Sequence, residues 1–86
     1  MQKGFNSDIV ARGQKYHIQT EDWGMQNPFI VSRVFCNGAV LKTIKTSYEQ
    51  ALRSGSVYEV EAIKNALRKQ HHSIIDSLMM SGTVEL

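Results

Sequence analysis

Residues Phe29–Ile44, FIVSRVFCNGAVLKTI, decide the fold. They form two strand-like runs joined by Asn37-Gly38, the dipeptide that most favours a two-residue type I′ hairpin turn. Such a loop predicts that Cys36 faces Ala39, Phe35 faces Val40, Arg33 faces Lys42 and Val31 faces Ile44, with each pair on a common face. One face then carries Phe29, Val31, Arg33, Phe35, Val40, Lys42 and Ile44. The other carries Ile30, Ser32, Val34, Cys36, Ala39, Leu41 and Thr43. Neither is the continuous polar surface of a sheet open to water on one side, so apolar material is expected against both faces.

Upstream, Phe5 to Ala11 alternates like a strand and Arg12-Gly13 offers a turn. Lys15 to Asp22 alternates more cleanly: Tyr16, Ile18 and Thr20 point one way, and Lys15, His17, Gln19 and Glu21 the other. One wet face suggests an outer strand. Pro28 cannot donate to a ladder, so WGMQNP, residues 23–28, breaks the run, with Trp23 and Met25 placed to fold over a sheet edge. Consecutive strands usually pair, which makes residues 5–46 a four-stranded antiparallel β-meander.

Downstream, Thr46 to Glu49, TSYE, has the spacing of a capping box and predicts a short helix over 47–53. A second box, Ser56 to Glu59, opens a long C-terminal helix over 57–81, stopped by Gly82 and followed by a tail at 82–86. The whole is a single α+β domain, residues 1–86. Val60, Ile63, Leu67, Ile74 and Leu78 form an apolar stripe with one gap at RKQHHS, residues 68–73. The 25 residues of 57–81 span roughly 37 Å as a helix, against roughly 27 Å for an eight-residue strand. An overhang is therefore expected, carrying Ile74, Ile75, Leu78, Met79 and Met80 as an interaction surface.

With 42% hydrophobic and 21% charged residues, the chain is neither disordered nor membrane-spanning in composition. MQKGFNSD lacks the apolar core of a signal peptide, and the single Cys36 suits a reducing compartment, so a cytoplasmic location is expected. A net charge of +2 is far below that of a dedicated nucleic-acid binder. Lys64, Arg68, Lys69 and His72 make one helix side basic, but Glu59, Glu61 and Asp76 dilute it.

Candidate chemistry is sparse. Arg33 and Lys42, opposed on an apolar face, would repel unless a carboxylate such as Glu21 or Asp22, or a small anion, lay between them. Glu21 and Asp22 are adjacent on a strand and point to opposite faces, so they make a poor carboxylate pair. His72 and Asp76 share a helix face, yet no metal-ligand spacing completes a site. There is no nucleophile elbow, Cys and His signature or phosphate-binding glycine loop. No catalytic residue, cofactor or metal is expected.

The run HIQTEDWG, residues 17–24, followed by NPFIVSRVFCNGAVLKTIKTSY, residues 27–48, resembles a short bacterial domain in the order QTED, Gly, NP, VF, NG and K-T-x-Y. The resemblance covers roughly residues 5–48 and leaves the long helix outside. It implies a recurring bacterial fold and carries no activity. Sequence thus points to a non-catalytic protein–protein interaction or adaptor module, a homodimer or higher oligomer, with a small-anion or nucleic-acid binding module as the alternative.

Overall fold

Asn37 and Gly38 take φ values of 54° and 79°, the paired positive angles that a type I′ turn requires. Arg12 and Gly13 repeat the geometry at 53° and 78°. These turns join four strands in the computed structural model, which describes residues 4–52 and 60–81. They are β1 (Phe5–Ala11), β2 (Gln14–Asp22), β3 (Phe29–Cys36) and β4 (Ala39–Ser47), antiparallel in the order β1-β2-β3-β4. The short helix α1 (Tyr48–Leu52) and the long helix α2 (Val60–Ser81) follow. The fold is the expected α+β arrangement. The Ser56–Glu59 capping box, Gly82 and the tail lie outside the described residues.

Three details of the sheet and of the first helix cap depart from the sequence reading. β2 lies inside the sheet, between β1 and β3, because alternation reports which face is wet and not a strand's place in the order. The hairpin register holds for Cys36 with Ala39 and Phe35 with Val40, then breaks at a β-bulge, so that Val34 faces Lys42, Arg33 faces Thr43 and Ser32 faces Ile44. Leu41 is the extra residue of the bulge, and beyond it every β4 side chain changes face. Arg33 and Lys42 are therefore not opposed. Finally, Thr46 is still paired with Ile30, so the helix cap falls one residue later. The Gln50 N–H donates to Ser47 Oγ at 3.1 Å and the Ser47 N–H to Gln50 Oε1 at 3.4 Å, an S-x-x-Q capping box.

The helices cover one face of the sheet. At one end Ile63 and Leu67 pack with Ile30 and Tyr48; at the other, Ile74 and Leu78 pack with Ala11, Tyr16, Ile18 and Val34. The expected overhang is not found. Twenty-two residues of α2 span roughly 33 Å, close to the roughly 30 Å of a nine-residue strand, so the stripe from Ile63 to Leu78 rests on the chain's own core. Val60 alone among the stripe residues is exposed.

Candidate functional site

Two regions hold chemistry that simple packing does not require: a polar layer inside the core and the uncovered face of the sheet. The polar layer fills the gap in the helix stripe. His71 stands four residues after Leu67 and three before Ile74, so it points at the sheet in phase with both. It is 1% exposed. Its Nε2 lies 2.8 Å from Ser7 Oγ on β1 and its Nδ1 2.8 Å from Thr20 Oγ1 on β2. Thr20 Oγ1 is in turn 2.7 Å from Ser32 Oγ on β3, which accepts from Gln70 Nε2 at 2.9 Å. Ser7, Thr20, Ser32, Gln70 and His71 thus satisfy one another across three strands and the helix, as buried polar groups must. Burial, and secondarily the nearby His72 and His17, hold the His71 pKa below its ordinary value.

A second knot ties the β2–β3 connection to α1. Asp22, 2% exposed, accepts from the Gly24 N–H at 2.9 Å and from the Tyr48 hydroxyl. The Tyr48 N–H donates to the Pro28 carbonyl at 2.9 Å. Burial first, then the bond to Asp22, pushes the Tyr48 pKa upward, so the phenol remains a donor. Gly24 adopts a φ of 89°, where a side chain would be strained.

The uncovered face carries Asn6, Asp8 and Val10 from β1, Lys15, His17, Gln19 and Glu21 from β2, Phe29, Val31, Arg33 and Phe35 from β3, and Val40, Thr43 and Lys45 from β4. Its groups are arranged in two clusters. Near the β3–β4 turn, His17 Nδ1 is 2.8 Å from Asp8 Oδ1 and its ring lies 5.9 Å from that of Phe35. A shallow depression there is lined by Lys15, His17, Gln19, Phe35, Asn37 and Gly38. At the far end, Lys45 Nζ stands 4.3 Å from the centre of the Phe29 ring and 5.2 Å from that of Trp23. Trp23, expected over a sheet edge, is half-buried beside Lys45 where the inner strand β2 ends, whereas Met25 is exposed. Arg33 pairs loosely with Glu21 at 3.7 Å, the type of carboxylate partner expected for it, and Trp23 Nε1 donates to the same Glu21 oxygen at 3.4 Å.

Protein-family models, curated proteins and solved structures give no match to this chain. The geometry assigns structural work to much of the QTED, Gly, NP and K-T-x-Y run. Thr20 and Asp22 of QTED, Gly24, Pro28 and Tyr48 are the buried bonding partners just described. Glu21 is the member of QTED that is exposed on the open face.

The residues singled out as an interaction surface are divided. Ile74 and Leu78 are fully buried in the core and Ile75 packs partly against it, whereas Met79 and Met80 are exposed. Only the two methionines keep the accessibility that a docking role needs. The Arg33 and Lys42 anion site loses its basis, since the bulge puts the two side chains on opposite faces. Among the described residues, no group of three His, Cys, Asp or Glu could hold a metal ion. No helix of the described residues is long and apolar enough to cross a membrane. The sequence signal for His71 was its phase with Leu67 and Ile74, which a stripe counted from apolar residues alone passes over.

Proposed function

We propose that this chain is a non-catalytic protein-interaction module that self-associates by laying together the open sheet faces of two copies. The observation that carries the reading is the asymmetry of the layers. Among the described residues the helices cover one face, and the other presents the half-buried rings of Phe29 and Phe35 and the exposed Val10 and Val40, with Trp23 at its margin. A sheet solvated on that side would show polar residues at these positions.

A second copy suits the charges. In a two-fold interface the same patch meets itself, so it must hold both signs to avoid repulsion. Lys15, Arg33 and Lys45 share this face with Asp8 and Glu21. A nucleic-acid surface would instead gather cations of one sign around its aromatic rings. The cytoplasmic location and bacterial source expected from the sequence accord with this role and form part of the proposal.

The test replaces Phe35 and Val40, which face each other across the hairpin, with aspartate. Both residues are away from the helix-covered core, so the variant should keep its circular dichroism spectrum, while sedimentation velocity should show the dimer reduced to monomer. A folded variant with unchanged sedimentation would overturn the proposal. So would tight binding of a single-stranded oligonucleotide that weakens steeply with salt and is lost in the variant, the behaviour of a phosphate-binding face.

A further inference from the structure

The structure assigns to His71 the part of an acid-sensitive latch that holds α2 on the sheet. The imidazole sits at the middle of the helix, between the two apolar clusters, and is the point at which α2 bonds to β1 and β2 through one ring. As a neutral ring it donates from one nitrogen and accepts at the other, a role that the Ser7 and Thr20 hydroxyls complement by rotating.

Protonation keeps both hydrogen bonds, because either hydroxyl can turn to accept, but it places a full charge where, among the described residues, the ring's partners are hydroxyls and not carboxylates. From β1 the ring meets Ser7 and Phe5, and from β3 the network continues to Ser32; these are uncharged. On β2 the carboxylate on the same face is Asp22, two residues beyond Thr20 and already bonded to Tyr48 and Gly24. On α2 the ring of His72 is centred 6.3 Å away, Arg68 stands three residues before His71 and Asp76 five residues after it, both exposed, and His17 lies on the opposite face of β2. A charge buried without a partner is costly, so the system escapes by letting the helix leave the sheet, where the ring can be hydrated.

The direction follows from linkage. The folded ring titrates below the ordinary value of 6.5, so between the folded value and 6.5 the released state binds more protons. Attachment is strongest above 6.5 and is lost as the pH falls through that window. Each full pH unit inside it raises the equilibrium constant for release by up to about tenfold.

The test compares the chain with His71→Gln, whose amide can reach the same hydroxyls without titrating. Hydrogen exchange of α2 amides, corrected for intrinsic rate, should lose protection in the unmodified chain between pH 7 and pH 5. The variant should show a shallower dependence over the same range. His17, His72 and all carboxylates are common to both proteins, so the difference isolates His71. If the variant does not fold, the imidazole resonance of His71 in the unmodified chain decides: it must titrate below 6.5. Equal pH dependence in the two proteins, or a folded His71 titrating at or above 6.5, would overturn the assignment.

Discussion

The double change Ile74→Asp with Leu78→Asp is expected to unfold the domain. Both side chains are 0% exposed and contribute to the cluster that contains Ala11, Tyr16, Ile18 and Val34. Each substitution removes a large apolar group, for which truncation costs about 2 to 5 kcal/mol, and adds a carboxylate with no partner. Against a total stability of about 5 to 15 kcal/mol, two such losses leave no folded population. Circular dichroism should show the helical signal gone at pH 7. A variant that retained it would mean that the C-terminal half of α2 is not part of the core, and would restore the helix end as a surface.

Asp22→Ala should lower stability by roughly 3 kcal/mol, and Tyr48→Phe by about half as much. The carboxylate is nearly inaccessible and accepts from the Gly24 N–H and the Tyr48 hydroxyl, which come from separate segments. Its removal takes an acceptor from the buried Tyr48 hydroxyl and from the half-buried Gly24 N–H, whereas Tyr48→Phe removes one donor and leaves the carboxylate bonded to Gly24. Urea unfolding at constant m should show midpoints in the order unmodified, Tyr48→Phe, Asp22→Ala. A change below about 0.5 kcal/mol for Asp22→Ala would mark it as an ordinary surface carboxylate.

How much of this was legible depends on which physical signal each residue emits. Asn37-Gly38 needs positive φ twice, so the turn and its first two residue pairs can be read from the dipeptide. The bulge at Leu41 has no such marker. VLKTI alternates plausibly in either register, and packing of Ile44 opposite Ser32, toward the helix, selects the shifted one. The polar run of α2 misled for a related reason. Gln70 and His71 look like a solvated interruption until Ser7, Thr20 and Ser32 are seen on the facing strands, and no local pattern links residues so far apart in sequence. Asp22 likewise reads as half of an acidic pair. Only the return of the chain to Tyr48 shows it as a tie between the β2–β3 connection and α1.

The open face, by contrast, was visible early as an apolar pattern on both sides of the hairpin. The helices account for one side, and the proposed partner would cover the other. The claim that this partner is a second copy is tested most directly by sedimentation equilibrium on the unmodified chain across micromolar concentrations. The account predicts a mass of twice 9.7 kDa, falling toward the single-chain value only on dilution. A constant mass of 9.7 kDa over the whole range would contradict it.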